Sequence, residues 1–204
     1  MKILAVADIH GSQYRLNIVL ENVEKFSPDL VIICGDITQF GPGDVAKNFL
    51  NQIPNETIAI DGNIDTDDVP RSIEESNATY IHFKKVMKKG YSFVGINSII
   101  PSETMLFLIE EEKQKWIDKK TVIVSHVPPY GFQDKIYFGM HKGSKELREI
   151  VDRFKPRMVL CGHIHEDPGF TIENDIYIVN CSMGKSGEGA LIELSENINV
   201  KMLD

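Results

Sequence analysis

The chain contains the stretch Met158-Val159-Leu160-Cys161-Gly162-His163-Ile164-His165, in which a short apolar run leads into two histidines two residues apart. On an extended backbone these two side chains leave the same face, with alpha-carbons about 6–7 Å apart. Two imidazoles at this spacing suit neighbouring positions around metal ions, although a histidine-rich surface loop would show the same pattern. The rest of the chain has to decide between these two interpretations.

The length and the cysteine content bound the possible folds. The chain has 204 residues and three cysteines. A chain of this length can bury roughly 70% of its unfolded surface and needs no disulfide or structural metal to fold. Three cysteines are too few for a disulfide framework. Cys34 and Cys161 each end an apolar run and are interpreted as small buried side chains. We therefore expect the protein to reside in a reducing compartment. We also expect residues 1–204 to form one domain.

The charge and hydropathy pattern narrow the classes of partner. The formal net charge is −8, and the chain has no basic tract. Binding to a nucleic acid polymer is therefore not expected. A small phosphorylated substrate remains compatible if bound metal ions supply local positive charge. No apolar run approaches the ~20 residues of a membrane span, and the N-terminal apolar stretch is too short for a signal peptide. We expect a cytoplasmic protein without membrane contact, and the oligomeric state stays open.

Apolar runs and amphipathic stretches alternate along the chain. Buried strands are predicted over 2–7, 30–34, 57–60, 91–97, 121–124 and 157–161, and shorter strands over 79–83, 176–180, 189–194 and 198–203. Helices are predicted from Ser12, over 44–52, after Pro70, over 103–119 and from Ser144. Basic residues 84–90 are predicted to form a solvated hairpin or turn, and Asn174-Asp175 a hairpin turn. Because the first and last helical units share the plan helix, proline, apolar run and Cys-Gly, we expect two related halves, each with its own sheet.

Potential metal ligands follow the predicted strands one after another. They are Asp8 and His10, Asp36, Asn63, His126, and His163 with His165. In an open α/β sheet, ligands bind beyond the carboxyl ends of the strands. Four of the six histidines in the chain occupy such positions, which scattered solvated loops would not produce. The joint pattern favours a metal centre at the strand ends over a surface loop.

In these segments the chain resembles the calcineurin-like metallophosphoesterase family. The matching motifs are Asp8-Ile9-His10, Gly35-Asp36, Gly62-Asn63-Ile64-Asp65, Ser125-His126-Val127-Pro128-Pro129 and Gly162-His163-Ile164-His165, in the order of the family. The resemblance implies an α/β fold, a four-layer sandwich of two mixed β-sheets flanked by helices, with the metal site at the C-terminal ends of the strands. It also implies hydrolysis of a phosphoester, either a small phosphodiester or an activated phosphomonoester, by a metal-bridged hydroxide.

The resemblance further implies two divalent metal ions. Asp8, His10 and His165 would hold the first ion, Asn63, His126 and His163 the second, and Asp36 would bridge them. Oxygen and imidazole ligands without thiolate suit Mn²⁺, Fe or Zn²⁺ and do not select one of them. Two carboxylates against the charge of two divalent ions leave the site positive, so it would attract phosphate within an acidic protein.

One position departs from the family pattern, because Ile64 stands where the family often has a histidine that protonates the leaving oxygen. Isoleucine cannot donate a proton, so either the substrates have good leaving groups or another residue supplies the proton. His141, in the loop after His126, is the candidate general acid, and a solvated loop histidine is the alternative. His82 is expected to have no role. Asp65 is expected to orient its own turn through backbone hydrogen bonds.

Two other functions are compatible with parts of the pattern. A non-catalytic metal-binding scaffold of the same fold, binding protein partners, would explain Ile64. Such a scaffold is expected to lose metal ligands, however, and all seven positions here carry usable side chains. A DNA-repair-type nuclease is disfavoured because the chain has no basic face and no appended capping domain. The aromatic residues of the loop after His126 either form a lip for a base or aryl group or pack beneath the loop; they are Tyr130, Phe132, Tyr137 and Phe138.

Overall fold

Strands and helices alternate along the chain in the computed structural model, which describes residues 1–96 and 116–204. The strands are β1 (Lys2–Val6), β2 (Leu30–Cys34), β3 (Thr57–Ile60), β4 (Ala78–Tyr80), β5 (Lys85–Lys88), β6 (Tyr91–Ile96), β7 (Thr121–Ser125), β8 (Met158–Cys161), β9 (Gly169–Glu173), β10 (Ile176–Asn180), β11 (Gly189–Glu193) and β12 (Asn199–Leu203). The helices are α1 (Gln13–Phe26), α2 (Gly43–Leu50), α3 (Val69–Glu74) and α4 (Lys145–Phe154), with a 3₁₀ turn at Tyr137–Gly139. Of the helix predicted over 103–119, residues 103–115 lie outside the described residues, and residues 116–119 form bends and the start of a turn.

The described strands form two mixed sheets. Their orders are β12-β11-β1-β2-β3-β4 and β5-β6-β7-β8-β10-β9. Strands β1 to β4 pair in parallel in the first sheet, and β6, β7, β8 and β10 do so in the second. Because parallel strands end at the same edge, the loops that follow them collect at one end of each sheet. The predicted α/β sandwich of two mixed sheets flanked by helices is confirmed.

The division of the chain into two halves, each with its own sheet, is wrong at the C-terminus. Strand β11 pairs antiparallel with β1, and β12 pairs with β11, so the last hairpin completes the first sheet. Local hydrophobic periodicity identifies a strand but not its partner across the sheet. The segment predicted as a hairpin or turn over 84–90 contains strand β5, which forms a hairpin with β6. Strand β9, which is not predicted from the sequence, forms a hairpin with β10 at the predicted turn Asn174-Asp175.

The strands that lead to the strand-end residues are buried on both faces. In β2, Ile32 packs between the two sheets, whereas Val31 and Ile33 pack against α1, α2 and α3 on the outer face. The second sheet repeats this arrangement, with α4 covering its outer face. Burial on both faces explains why these strands are continuous apolar runs. Each fully buried Val, Leu or Ile contributes about 1.5–3 kcal/mol, so the strand ends are held by a rigid core.

The helices begin and end where polar caps and prolines predict. The Ser12 hydroxyl accepts a hydrogen bond from the N–H of Arg15 at the start of α1, and the Ser144 hydroxyl accepts one from Leu147 at the start of α4. Each of these helices ends in a left-handed residue followed by proline. Within residues 1–96 and 116–204, no helix combines the length and apolarity needed to cross a membrane.

Candidate metal centre

The loops after β1, β2, β3, β7 and β8 bring all seven predicted ligand residues into one connected cluster. Its contacts divide it into two parts. The β1–β8 group consists of Asp8, His10 and His165, and the β2–β7 group consists of Asp36, Asn63 and His126. His163 lies between them: its N–H donates to Asp8 at 3.0 Å, and its ring centroid lies 5.1 Å from that of His126.

The β1–β8 group joins the first sheet to the second. His10 Nε2 and His165 Nε2 face each other at 3.3 Å, and His165 Nε2 lies 3.5 Å from the buried carboxylate of Asp8. His10 Nδ1 is buried and has no hydrogen-bond partner among the described residues. One ligand atom from each of the three side chains lies within 4.8 Å of the others. Two imidazole nitrogens that face each other beside a carboxylate fit a cation better than they fit a single shared proton.

The β2–β7 group also crosses between the sheets. His126 is fully buried, and its Nδ1 donates to the carbonyl of Cys34 at 2.8 Å. Its Nε2 lies 2.9 Å from Asn63 Oδ1 and 3.2 Å from Asp36 Oδ2. Ligand atoms of Asp8, Asp36 and His126 also lie within 4.8 Å of one another. Asp8 therefore connects the two groups into one carboxylate-rich site.

The charges of the two groups shift each other's protonation. Burial opposes ionisation of Asp8, but the hydrogen bond from His165 and the charge of His126 lower its pKa to about 2. Burial likewise opposes protonation of His126, but the hydrogen bond to Asp36 and its charge raise the pKa of His126 to about 9. The hydrogen bond to Asp8 raises the pKa of His165, whereas burial lowers the pKa of His10. The carboxylate of Asp8 thus stays ionised and attracts positive charge.

The backbone of the centre is held in an uncommon conformation. Asp8, His10, Asp36 and His163 have φ of 64°, 55°, 52° and 69°. Such left-handed residues carry a local energetic cost and concentrate at functional sites. Asp and His are among the residue types enriched there, but nothing in the local sequence distinguishes these positions from ordinary turns. The strain turns the side chains toward one another at the strand ends.

Glycines keep the space around the ligand side chains free. A Cβ on Gly62 would lie 2.0 Å from Asp36 Oδ1, and one on Gly162 would lie 2.8 Å from Asp8 Oδ2. A Cβ on Gly184, in the loop between β10 and β11, would lie 2.4 Å from Cγ of His165. Sequence reasoning missed Gly184, because the β10–β11 loop is distant in sequence from every motif and meets the site only through the fold.

Asp65 ties the turn after β3 to the loop after β2. Its carboxylate accepts hydrogen bonds from the N–H groups of Gly62, Ile37 and Thr38 at 2.9, 3.1 and 2.7 Å, and from the Thr38 hydroxyl at 2.8 Å. The expectation that Asp65 orients its turn through backbone hydrogen bonds is confirmed. The contact with Thr38 adds that Asp65 also fixes the loop that carries Asp36.

Arg15, in the first turn of α1, is a second residue that the sequence analysis missed. Its Nη1 donates to the main-chain carbonyl of Asp8 at 2.8 Å, and its positive charge acts on both His10 and His165. Within the described residues no carboxylate forms an ion pair with Arg15. A signal was present, since the first turn of a helix that follows a ligand-bearing strand faces the strand end.

The remaining predicted site residue, His141, lies in the loop between β7 and α4. Its Nδ1 lies 2.6 Å from the buried carboxylate of Asp134, and its ring lies 5.4 Å from that of Tyr130. No hydrogen bond or ring contact in the described part of the chain joins His141 directly to the seven strand-end residues. Of the loop aromatics, Phe132 packs against the core beneath α4, whereas Tyr137 and Phe138 are 65% and 100% exposed.

The donor set fits divalent metal ions. It offers carboxylate and amide oxygens and imidazole nitrogens, which suits Mn²⁺, Fe or Zn²⁺. Two structural features support this fit: the facing nitrogens of His10 and His165, and the Nδ1 of His10, which has no partner within residues 1–96 and 116–204. Cys34, Cys161 and Cys181 are buried as free thiols; burial raises the pKa of Cys34 and Cys161, so these two behave as core side chains.

Comparisons with known proteins agree with this geometry. An uncharacterised protein of Methanocaldococcus jannaschii is 33% identical in an alignment of length 199 that covers 89% of this chain and 88% of that protein. A probable glycerophosphodiester phosphodiesterase of Arcobacter nitrofigilis is 27% identical over 192 residues, 86% of this chain and 70% of that protein. The crystal structure of TT1561 of Thermus thermophilus shares the fold, with a TM-score of 0.75, 14% identity and 98% of each chain covered. A family model described as calcineurin-like phosphoesterase matches residues 1–167, and the chain therefore belongs to the calcineurin-like phosphoesterase family.

Proposed function

We propose that the chain hydrolyses a phosphoester with two divalent metal ions held at the strand ends. Asp8, His10 and His165 would hold the first ion, Asn63, His126 and His163 would hold the second, and Asp36 would be a ligand of both. The observation that carries the proposal is the contiguity of the two groups, because ligand atoms of Asp8 belong to both sets of atoms that lie within 4.8 Å of one another. Mn²⁺, Fe and Zn²⁺ all suit this donor set.

Divalent ions at such a site supply Lewis-acid stabilisation of phosphoryl oxygens and activate water at neutral pH. Hydrogen bonds within the chain fix the positions of the ligand side chains. Asp65 fixes the two loops that carry Asp36 and Asn63, and the hydrogen bond from His126 Nδ1 to Cys34 sets which nitrogen faces the site. Arg15 adds a positive charge beside His10 and His165. An anionic substrate is attracted to this positive end although the chain carries a net charge of −8.

The substrate class we propose is a small phosphodiester or an activated phosphomonoester. The relative of Arcobacter nitrofigilis named as a probable glycerophosphodiester phosphodiesterase supports a diester. Ile64 supports a leaving group that departs without strong protonation, because its side chain carries no proton to give. Its backbone N–H donates to Asp36 at 3.1 Å and its carbonyl accepts from the N–H of Phe40 at 3.2 Å. The loss of one general acid lowers the rate on a poor leaving group by roughly 10²–10⁴-fold.

Ile64 also favours the second candidate, a non-catalytic metal-binding scaffold that binds protein partners. Although a scaffold is expected to lose metal ligands, one that retained them for stability would have no need for a proton donor at position 64. The two candidates differ in what happens to a phosphoester at the site, so turnover separates them where metal content does not.

The test is hydrolysis of bis-p-nitrophenyl phosphate and p-nitrophenyl phosphate with added Mn²⁺ and with a chelator. The proposed function predicts metal-dependent turnover that Asp36→Asn lowers by at least about 10²–10³-fold. Asp152→Asn, which removes a carboxylate from a surface ion pair with Arg148, serves as the control and should retain activity. Full metal occupancy without turnover of either ester would favour the scaffold. A higher rate on the diester would separate the two substrate classes.

A further inference from the structure

The loop between β7 and α4 contains a buried carboxylate that the hydrolytic site does not use. Asp134 is fully buried. Its Oδ2 accepts hydrogen bonds from the N–H groups of Gly131 and Gly143 at 3.0 and 2.9 Å, and its Oδ1 lies 2.6 Å from Nδ1 of His141. A backbone N–H group can only donate a hydrogen bond, so the N–H groups of Gly131 and Gly143 hold the Asp134 carboxylate as an acceptor. Nδ1 of His141 is therefore the donor, and Nε2 is the nitrogen left for another partner.

This arrangement fixes both the direction and the tautomer of the His141 ring. The side chain of His141 is 31% exposed, and its Nδ1 is held from within the loop by Asp134. The main chain supports the same geometry, because Lys142 N–H donates to the carbonyl of Asp134 at 3.0 Å and Lys135 pairs with His141 in an antiparallel bridge. A histidine oriented by a carboxylate in this way is suited to transfer a proton through its free nitrogen.

The loop is fastened to the segment that carries His163 and His165. Lys135 N–H donates to the carboxylate of Asp167 at 3.0 Å, and the Gln133 side chain donates to the Asp167 carbonyl at 3.3 Å. The Asn180 amide donates to the carbonyls of both Gln133 and Ile164. The loop that holds His141 is thus bound to residues adjoining His165.

A second contact joins the loop to the β10–β11 segment, which packs on His165. The ammonium of Lys185 lies 5.9 Å from the centre of the Tyr137 ring, and the neighbouring Gly184 packs directly on the His165 ring. Tyr137 is thus connected, through Lys185 and Gly184, to the side of the centre that carries His165. Phe138 has φ of 63°, an uncommon value for a bulky residue that is frequent at functional sites.

We propose that His141 donates the proton to the leaving oxygen in place of the residue missing at position 64, and that Asp134 is the positioning residue that aims it. This rests on the proposed function. In the step, water forms a new bond to phosphorus while the bond from phosphorus to the leaving oxygen breaks. The leaving oxygen keeps the electron pair and takes the proton from Nε2 of the His141 imidazolium. The proton lost by the attacking water passes to solvent, and Nε2 regains one from solvent.

The kinetic test compares Asp134→Asn, His141→Ala and the double variant on aryl phosphoesters, from p-nitrophenyl to phenyl, in the metal-loaded full chain. His141→Ala should lower kcat/KM on the phenyl ester by roughly 10²–10⁴-fold and leave the p-nitrophenyl ester nearly unchanged. Asp134→Asn should change the same dependence in the same direction. The double variant should lose no more than His141→Ala alone, because Asp134 acts through His141.

The controls separate this role from a structural one. The matched control is Asp118, whose carboxylate accepts hydrogen bonds from the Lys120 N–H and the Thr121 hydroxyl in the turn before β7. Asp118→Asn should leave the leaving-group dependence unchanged. Losses that add in the double variant, or that are equal on both esters, would overturn the proposal. If the wild-type chain hydrolyses none of the esters with metal bound, the proposed function fails first and the proton donor fails with it.

A readout without turnover is the tautomer of His141 in the metal-free protein. Long-range ¹H–¹⁵N NMR correlation should show the neutral ring protonated at Nδ1 in the wild type and a shift toward Nε2 protonation in Asp134→Asn. An Nε2-protonated ring in the wild type would contradict the hydrogen bond to Asp134 and overturn the positioning role, whatever the activity of the enzyme.

Discussion

The β1–β8 group and the β2–β7 group satisfy their polar atoms in different ways. In the β2–β7 group, both ring nitrogens of His126 meet oxygen atoms, those of Cys34, Asn63 and Asp36. In the β1–β8 group, two imidazole nitrogens face each other and His10 Nδ1 has no partner among the described residues. Protons on the His126 ring satisfy the β2–β7 group. Only a metal ion fully satisfies the facing nitrogens of the β1–β8 group. An ion entering the β2–β7 group must therefore displace a proton that His126 holds strongly.

The largest expected effect is the separation of the two ions by single substitutions. His165→Ala removes a ligand of the β1–β8 group, and His163→Ala removes one from the proposed second ion. Each should lower the affinity of its own ion by at least about 10–100-fold and that of the other ion by less. Titration of the metal-free variants with Mn²⁺, followed by elemental analysis, measures both affinities. His82→Ala, at a half-buried histidine that belongs to neither group of ligands, is the control. Equal loss of both ions in each variant would mean that the two groups bind metal only as one unit.

A methyl group beside His165 should disturb one group alone. The Cβ of Gly184→Ala would lie 2.4 Å from the His165 ring, so the imidazole must move. We expect roughly a 10-fold weaker ion in the β1–β8 group and little change in the β2–β7 group. In Gly41→Ala the new Cβ meets its nearest atom, Cβ of Thr38, at 3.7 Å, which is ordinary contact, so that variant should bind both ions normally. An unchanged metal titration for Gly184→Ala would show that the His165 ring has room to shift.

Removal of the Asp65 carboxylate should weaken the support of the β2–β7 group. Asp65→Ala leaves the N–H groups of Gly62, Ile37 and Thr38 without their acceptor, which should lower the free energy of unfolding by about 1–3 kcal/mol. Urea unfolding of the metal-free protein measures this change. Asp68, an exposed neighbour that accepts from Gly43 N–H at 2.8 Å, is the control, and Asp68→Ala should cost less because water can replace the acceptor. Equal losses in the two variants would contradict a special role for Asp65.

The smallest expected effect is the pH dependence of the metal-free protein. Burial and the Asp36 hydrogen bond act in opposite directions, and the pKa of His126 rises from 6.5 to about 9. Its stabilising contribution is therefore fully present below about pH 6.5 and is lost as the pH rises through about 9. Thermal unfolding in chelator should show a falling Tm over this range, and Asp36→Asn should flatten the fall. Metal affinity of the β2–β7 group should rise over the same range, since the ion needs a neutral imidazole.

Much of the centre could be predicted from the sequence because the end of each parallel strand is visible as a polar residue after an apolar run. A buried apolar run followed by Asp8, Asp36 or His126 places that residue at the carboxyl edge of a sheet. The parallel pairing of β1 with β2 follows from the helix between them. These two rules bring residues distant in the sequence to one place without any knowledge of contacts.

The features that escaped prediction depend on contacts between distant segments. Gly184 meets His165 only because β11 returns to pair with β1 across the sandwich. The buried Asp134 looks like an ordinary loop carboxylate in the sequence, since its acceptor role depends on the folded path of the β7–α4 loop. The left-handed backbone of Asp8 and Asp36 has no signature beyond residue type, because the fold supplies the energy that keeps it there.

The bridging of two ions by Asp36 is tested most directly by electron paramagnetic resonance of the protein loaded with Mn²⁺ and counted by elemental analysis. The proposed centre predicts two Mn²⁺ ions per chain and the spectrum of an exchange-coupled pair, with the coupling lost in Asp36→Asn. One ion per chain, or two ions that give the spectrum of isolated Mn²⁺, would contradict a shared two-metal centre.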